Sequence, residues 1–312
     1  MRYLVTGGAG FIGSHLVERL VQSGETVRIF DCFTTGRPEN LESVSDQIEI
    51  VKGDVRDFDA LRNAATDMER IFHLAAVFSV PRSTEDPRTA FDVNLNGTLN
   101  LLTAARDAGC RRVVLASSAS VYGNATELPI RESTLPSPRS PYAISKLASE
   151  QLCAFFTQVH GLETVALRYF NVFGSRQDLS SPYTGVIALF AHAICSGAAA
   201  TIYGDGTQSR DFVAVENVVD ATLLAANATS VAGQVFNVGS GKATSLNELW
   251  SMMNELAGTN IPVLHAEART GDITHSVADI TRARQSFSYD VKVSLLDGLE
   301  RLLNEPRTSA LR

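Results

Sequence analysis

Seven residues near the start of the chain, Gly7-Gly8-Ala9-Gly10-Phe11-Ile12-Gly13, constrain its fold more than any other stretch. They follow a β-rich run, Arg2–Thr6, and open a helical one, Phe11–Val21, in which Phe11, Ile12, Leu16 and Leu20 recur at helical spacing. Glycines at 7, 10 and 13 read G-x-x-G-x-x-G, a variant of the dinucleotide-binding fingerprint. Gly7 suits a tight turn, Gly10 lets the backbone approach a pyrophosphate, and Gly13 lets the helix pack close on the strand. The helix N-terminus at Phe11 and Ile12 offers free N–H groups and a partial positive charge. A glycine-rich turn alone would equally suit a plain β-turn-α connection. Asp31, 18 residues after Gly13 at the end of the next β-rich run, makes the dinucleotide reading the stronger one. A carboxylate there accepts hydrogen bonds from both ribose hydroxyls and repels a 2′-phosphate, so the expected cofactor is NAD rather than NADP. Its competing role is a turn cap, and Arg37 in the following loop is the one residue that argues the other way.

Beyond this unit, short β-rich runs alternate with helical patterns through the first half of the chain. Strands are predicted at Arg2–Thr6, Thr26–Asp31, Ile48–Val51, Arg70–Leu74, Arg112–Ser117 and Thr164–Arg168, with long helices at Phe91–Asp107 and Tyr142–Val159. This is the pattern of an α/β protein, a Rossmann-type doubly wound parallel sheet. After about residue 170 the loops lengthen and grow richer in Gly, Pro and Ser. Short strands at Thr201–Tyr203, Asp211–Val215, Gln234–Val238 and Pro262–His265 alternate there with helices at Val215–Asn227, Leu246–Leu256, Asp279–Phe287 and Leu295–Leu303. We read residues 1–170 as the cofactor domain and 171–312 as a smaller, mixed α/β C-terminal substrate lobe, with a soft boundary and strand exchange across it.

Bulk properties exclude several alternatives. At 312 residues, 45% apolar and 20% charged, the chain can bury a large core without disulfides or metal. A net charge of −7 argues against nucleic acid and anionic membranes as partners. No stretch approaches the ~18 apolar residues of a membrane span, and glycines interrupt any leader-like segment at the start. Cys32, Cys110, Cys153 and Cys195 show no metal-binding spacing, so no metal is expected, and buried reduced thiols in a cytoplasmic protein are the simplest reading. The last six residues are expected to fray.

A second cluster carries chemistry. Tyr142-Ala143-Ile144-Ser145-Lys146 places a phenol and an ammonium one turn apart on one helix face, just after Pro138 and Pro141, with Ser117-Ser118 upstream at a strand end. A tyrosine of pKa ~10 is a poor base. A lysine charge ~4 Å away at an effective dielectric of ~20 contributes about 4 kcal/mol, or about three pKa units, enough to bring the phenol near 7. Gly53-Asp54-Val55 ends the third strand where Asp54 and Val55 can meet the adenine, and the small residues after His73, Ala75 among them, suit close approach of the cofactor.

Taken together, the glycine turn, Ser118, Tyr142 and Lys146 resemble the short-chain dehydrogenase/reductase superfamily in its extended branch. The likeness runs along almost the entire chain and is closest to nucleotide-sugar 4-epimerases. It is carried by Thr6–His15, Ser117-Ser118-Ala119-Ser120-Val121-Tyr122-Gly123, Ser140–Lys146, Arg168–Gly174, Tyr203–Phe212 and Arg269-Thr270-Gly271-Asp272. The resemblance implies that Tyr142 removes a proton from the sugar C4 hydroxyl while a hydride leaves for NAD, with Ser118 sharing the proton and Lys146 also contacting the cofactor. It implies that Asn171, Arg210, Arg269 and Asp272 hold the nucleotide diphosphate of a UDP-sugar, although each Arg also suits a surface ion pair. Related 4,6-dehydratases and decarboxylases carry an acidic residue where this chain has Ser120, so a UDP-hexose 4-epimerase is expected. Ser276 stands where enzymes restricted to glucose and galactose carry a tyrosine, which implies acceptance of N-acetylated sugars.

Cys32, Ala188 and Ala214 depart from residues common in the family without removing a catalytic group. A UDP-uronic acid 4-epimerase would look similar, with Arg82 as the candidate basic group near C6, although an ion pair at a helix N-terminus is the stronger reading of that residue. A net dehydrogenase using free cofactor, and a non-catalytic NAD-binding regulatory protein, are the competitors from other classes. Intact Ser118, Tyr142 and Lys146 count against the latter. The resemblance also implies a homodimer, formed through the Phe91–Asp107 and Tyr142–Val159 helices.

Overall fold

The computed structural model describes residues 1–177, 185–268 and 273–304. Its centre is a parallel sheet of seven strands. Six lie in the first half of the chain: β1 (Arg2–Thr6), β2 (Thr26–Asp31), β3 (Ile48–Lys52), β4 (Arg70–His73), β5 (Arg112–Ser118) and β6 (Glu163–Tyr169). The seventh is Gln234–Val238, and the spatial order is β3-β2-β1-β4-β5-β6 followed by that strand. The order reverses between β1 and β4, and in such sheets ligands bind at the carboxyl ends of the strands where the reversal occurs. Every pairing within this sheet is parallel. The central strands are accordingly buried on both faces and read as apolar runs, such as Leu4-Val5 and Val113-Val114-Leu115, whereas the edge strand β3 is largely exposed.

Each face of the sheet has its own apolar core. On one side pack α1 (Phe11–Gln22) and the Val215–Asn227 helix, around Leu16, Val17, Leu20, Val218, Val219 and Phe236. On the other pack α2 (Phe58–Ala65) and the Gly97–Asp107 and Pro141–His160 helices, around Leu61, Leu101, Leu102, Cys153 and Phe156. The Pro141–His160 helix starts at Ser140, whose hydroxyl accepts from the Ala143 N–H at 3.2 Å, with proline in the first turn, and ends at Gly161 in the left-handed conformation. A third core joins the Val186–Ser196, Leu246–Ala257 and Leu295–Asn304 helices around Phe190, Trp250, Met253 and Leu299.

Most predicted elements appear within a residue or two of their expected limits. The helix expected over Phe91–Asp107 does not run unbroken: Asp92–Asn96 forms a π turn, and the α-helix resumes at Gly97. Several helices were not anticipated, the short Val80–Glu85 and the 3-10 segment Pro38–Gln47 among them. Val186–Ser196 is apolar almost all round, so no stripe marks it, and Phe58–Ala65 is only two turns long. The thiols also differ from expectation: Cys110 and Cys153 are buried, but Cys32 and Cys195 are exposed. Among the described residues no helix is long and apolar enough to cross a membrane.

The returning strand Gln234–Val238 is the test of how the two halves of the chain cohere. Phe236 is fully buried, packs edge-on against Phe287 at 5.1 Å and lies under the Arg282 guanidinium at 5.0 Å. Phe236→Ala is expected to cost about 3–5 kcal/mol, read as a lowered midpoint in urea unfolding with the slope unchanged.

Candidate active site

At the β1–α1 turn the backbone geometry requires glycine. Gly7 has φ +70°, its N–H donates to the Phe30 carbonyl at 2.9 Å, and a Cβ there would lie 2.7 Å from the Ala75 nitrogen. A Cβ on Gly13 would overlap the Gly7 carbonyl oxygen. Gly10 caps α1 without a side chain, and the first turn, which includes the half-buried Phe11 and Ile12, holds no acidic residue. The cradle therefore presents backbone N–H groups and no competing carboxylate, which fits a pyrophosphate.

Asp31 ends β2 and is 6% exposed, with its carboxylate accepting from the Ala9 N–H at 3.0 Å and the Phe33 N–H at 2.8 Å. It does act as a turn cap, but two carboxylate oxygens offer about four acceptor sites, which leaves capacity for a ribose. Asp54 is held by Arg56, whose Nη2 lies 2.7 Å from its Oδ2, and that hydrogen bond holds the carboxyl below its ordinary range. The Val55 side chain is buried, and a Cβ on Gly97 would come within 2.6 Å of it, so at Val55 it is the backbone rather than the side chain that remains for a ligand. Ala75 sits half-buried beside Gly7, its N–H 3.4 Å from the Thr6 hydroxyl.

The reactive groups meet where β5 ends and the Pro141–His160 helix begins. Ser118 stands close enough to the Tyr142 phenol to favour its ionised form, and the Ser118 hydroxyl accepts from the Ser120 N–H at 3.2 Å. Tyr142 is fixed at its backbone as well, its N–H donating to the Ser83 hydroxyl at 3.2 Å. Lys146 is 5% exposed, donates to the Ala116 carbonyl at 2.8 Å and lies 5.9 Å from the centre of the Tyr142 ring. Ser120 has a buried hydroxyl oxygen with no hydrogen-bond partner.

Burial pushes the Tyr142 phenol up, with the nearby Ser118 hydroxyl opposing it. Burial also brings Lys146 down to about 8, against the attraction of Glu150 and Cys153. The expectation that Lys146 draws the phenol near neutrality is thus not met by the chain's own groups. The ammonium is aimed at a carbonyl rather than at the phenol, and it is buried while the phenol residue is half-buried.

In the C-terminal half, Asn171 opens a short strand, Asn171–Phe173, paired in parallel with Phe212–Ala214, and its amide donates to the Asp211 carbonyl at 3.4 Å. Arg210 lies along its own strand, donating to the carbonyls of Ser209 at 3.0 Å and Thr274 at 3.3 Å. Ser276, 7% exposed, is tied to that strand by its N–H, 3.1 Å from the Ser209 carbonyl. Arg210 and Ser276 therefore share one neighbourhood, whereas Arg269 and Asp272 lie outside the described residues. Arg82 is exposed, in the helix Val80–Glu85, its N–H donating to the capping Ser79 hydroxyl at 3.2 Å.

Comparison with known proteins agrees with this geometry. The model of the NAD dependent epimerase/dehydratase family matches residues 3–239. The chain belongs to that family. A UDP-glucose 4-epimerase of Mycolicibacterium smegmatis is 42% identical over 304 residues, 96% of each chain. The structure of a UDP-N-acetylglucosamine 4-epimerase from Methanobrevibacter ruminantium in complex with UDP-N-acetylmuramic acid superposes with a TM-score of 0.93 at 38% identity, covering 97% of this chain and 96% of that one. A Thermus thermophilus UDP-glucose 4-epimerase in complex with NAD gives 0.89 at 37% identity, covering 97% and 98%. The readings of a Rossmann-type sheet, of NAD as cofactor and of an isomerase akin to the nucleotide-sugar epimerases all stand.

Three features of this family member escaped sequence reasoning. Asn94, in the π turn, is 2% exposed; its amide donates to the Ser145 hydroxyl at 3.0 Å and the Val77 carbonyl at 3.1 Å, and accepts from the Val77 N–H at 2.8 Å. It ties the loop after β4 to the residue beside Lys146. His73 joins Thr6 at 2.7 Å to Thr98 at 3.1 Å, and burial lowers its pKa to about 3, so it stays neutral. Glu150 and Arg168 form a buried ion pair. No spacing marks these residues in the sequence, because their partners come from distant segments.

The buried ammonium has a measurable consequence. Lys146 titrates at about 8 in the folded chain and near 10.4 when unfolded. Below pH 8 both states are protonated and the fold bears the full desolvation cost; between those values the folded state has lost the proton, and the cost fades as pH rises. Lys146→Met is therefore expected to be inactive yet more stable at pH 7, by on the order of 2 kcal/mol. In denaturant titrations that gain should shrink towards pH 10.

Proposed function

We propose that the chain is a UDP-hexose 4-epimerase, interconverting UDP-glucose and UDP-galactose and also accepting UDP-N-acetylglucosamine. The observation that carries this reading is the composition of the site around Ser118 and Tyr142. A hydroxyl, a phenol and an ammonium converge there, and the stretch Ser118-Ala119-Ser120 brings no carboxylate that could eliminate water or drive decarboxylation. The similarity to 4-epimerases over nearly the full length supports it.

In this reading Gly7, Gly10, Phe11, Ile12 and Gly13 hold the pyrophosphate of NAD, Asp31 the adenosine ribose, Asp54 and Val55 the adenine end, and Ala75 and Lys146 the nicotinamide half. NAD supplies a hydride acceptor that later returns the hydride to the same carbon. Tyr142 takes the C4 hydroxyl proton as the carbonyl forms and gives it back when the hydroxyl is restored, so the reaction is redox-neutral and consumes no free proton. Ser118, already beside Tyr142, holds the reacting oxygen and fixes the direction of transfer. Lys146 and the oxidised nicotinamide are the two positive charges that bring the buried phenol into its working range. Asn171 and Arg210 grip the diphosphate, where a planar guanidinium can meet two phosphate oxygens. Arg269 and Asp272 are assigned the same role on sequence alone. Held by this end only, the 4-keto sugar can turn to present its other face. Ser276, small and next to the Arg210 strand, leaves room for an N-acetyl group, in keeping with the relative described as a UDP-N-acetylglucosamine 4-epimerase.

Two experiments test this reading. Incubation with UDP-glucose and with UDP-N-acetylglucosamine should give the corresponding C4 epimers without net change in NADH absorbance; a dehydrated or decarboxylated sugar would overturn it. Tyr142→Phe should lose about 10²–10⁴ in kcat.

We further assign the enzyme to the cytoplasm and to a homodimer. The Gly97–Asp107 and Pro141–His160 helices, whose inner faces pack on the sheet, leave Leu99, Ile144 and Phe155 exposed at 41%, 43% and 47%. Two copies pairing these helices would bury them as a four-helix bundle. Light scattering is expected to give twice the 33.6 kDa chain mass, and Phe155→Glu to return a monomer.

A further inference from the structure

Directly behind the reactive groups lies a charged cluster that the mechanism above does not use. Glu150, one helical turn beyond Lys146, is 2% exposed, and Arg168 on β6 is 4% exposed. The guanidinium grips the carboxylate at two points, Nε to Oε1 at 2.9 Å and Nη2 to Oε2 at 2.6 Å. The Ser117 hydroxyl donates to the same Oε1, and Arg168 stacks over the Tyr122 ring at 4.6 Å. Tyr122 in turn donates to Asn237 at 2.6 Å, and the Asn237 N–H donates to Glu132 at 2.8 Å.

A lysine and a glutamate four residues apart on a helix are neighbours that ordinarily pair. Here they do not: Lys146 Nζ donates to the Ala116 carbonyl, and no ion pair among the described residues joins Lys146 to Glu150. The other titratable groups around them are uncharged. Burial keeps His73 on β4 neutral at about 3, and holds the Cys153 thiol and the Tyr122 phenol at about 12. The charges of Lys146, Glu150 and Arg168 meet beside the active site, with the Glu132 carboxyl further out behind Tyr122 and Asn237. A buried ion pair is a poor source of stability compared with apolar groups of the same shape, and this one carries a cost, since Arg168 Nη1 is buried with no partner.

We propose that Arg168 is a positioning residue for the reaction: by occupying and neutralising Glu150, it keeps that carboxylate from capturing the Lys146 ammonium and holds the lysine charge at the Ala116 carbonyl, 5.9 Å from the Tyr142 ring. Without Arg168, Glu150 stands as the one uncompensated anion next to Lys146. The lysine then swings along its own helix to pair, and the potential that favours the Tyr142 phenolate is lost. This inference rests on Tyr142 as the proton acceptor, but its first test does not.

The chain has four lysines, Lys52, Lys146, Lys242 and Lys292. Protein labelled with 13C at lysine Cε therefore gives four signals, and Lys146→Met assigns the relevant one. In the purified full-length enzyme Lys146 should titrate near 8. Arg168→Met should move that titration up by about one pH unit or more. Glu150→Gln with Arg168→Met should return it to the wild-type position, and Arg168→Lys, which keeps the charge, should leave it there. In the 4-epimerase assay the acid limb of the kcat profile of Arg168→Met should shift upward by about one unit, a roughly tenfold loss on that limb, with KM unchanged.

An unmoved Lys146 titration in Arg168→Met, or the same shift in the double variant, would overturn the proposal and leave the pair a purely structural one. If Arg168→Met does not fold, Glu150→Gln carries the test: it leaves the Arg168 charge unopposed, and Lys146 must titrate lower, a fixed titration being the refuting result. A wild-type enzyme that epimerises no UDP-sugar would refute the function reading while the titration still decides the role of Arg168.

Discussion

A hydrogen atom in place of a side chain at Gly13 is the condition on which this architecture rests. A Cβ there would occupy the space of the Gly7 carbonyl oxygen, so any other residue would push α1 away from β1. The close approach sets the helix N-terminus at the carboxyl end of β1, next to the point where the sheet order reverses. The proposed dinucleotide site there faces the carboxyl ends of β4 and β5, where Ala75 follows β4 and Ser118 ends β5. The remaining layers follow from burying both faces of a parallel sheet, which requires helices above and below it.

Placing the reactive groups inside this frame has an electrostatic cost that shapes the chemistry. Burial disfavours the phenolate of Tyr142 and the ammonium of Lys146 alike. The two therefore need other charges to hold their working protonation states. In the proposed mechanism the oxidised cofactor would provide one positive charge, and the arrangement of Glu150 and Arg168 would set how much of the lysine's own charge reaches the phenol. Around them, neutral hydrogen-bonding residues such as Asn94, His73 and Ser83 hold backbone and side chains in place without adding charge. This division between charged and neutral neighbours is what the buried position of the site demands.

Legibility in the sequence followed the range of the interactions. The glycine turn, Asp31 and the Tyr142–Lys146 pair were readable because their geometry is set within a few residues, by a turn or one helical rotation. The central strands were readable because burial on both faces makes them apolar runs between turn residues, and the exposed edge strand β3 from its β-branched residues. The Val186–Ser196 helix was not, since an element apolar on every side carries no stripe, and the π turn at Asp92–Asn96 was not, since its sequence is compatible with an unbroken helix. Ser276 was singled out from its place in a motif, but only the fold sets it against the strand of Arg210.

The sequence by itself determined the class of fold and the cofactor, and it singled out the side chains proposed to react, because each is specified by residue types at short spacing. Only the tertiary structure decided that the strand from residues 234–238 returns to the first sheet, that Asn94 bridges the β4 loop to the catalytic helix, and that Arg168 rather than Lys146 takes Glu150. These contacts join positions 17 to 69 residues apart in the chain. No local preference encodes such contacts; they exist because the sheet brings those segments together and excludes water from the groups that must then find partners.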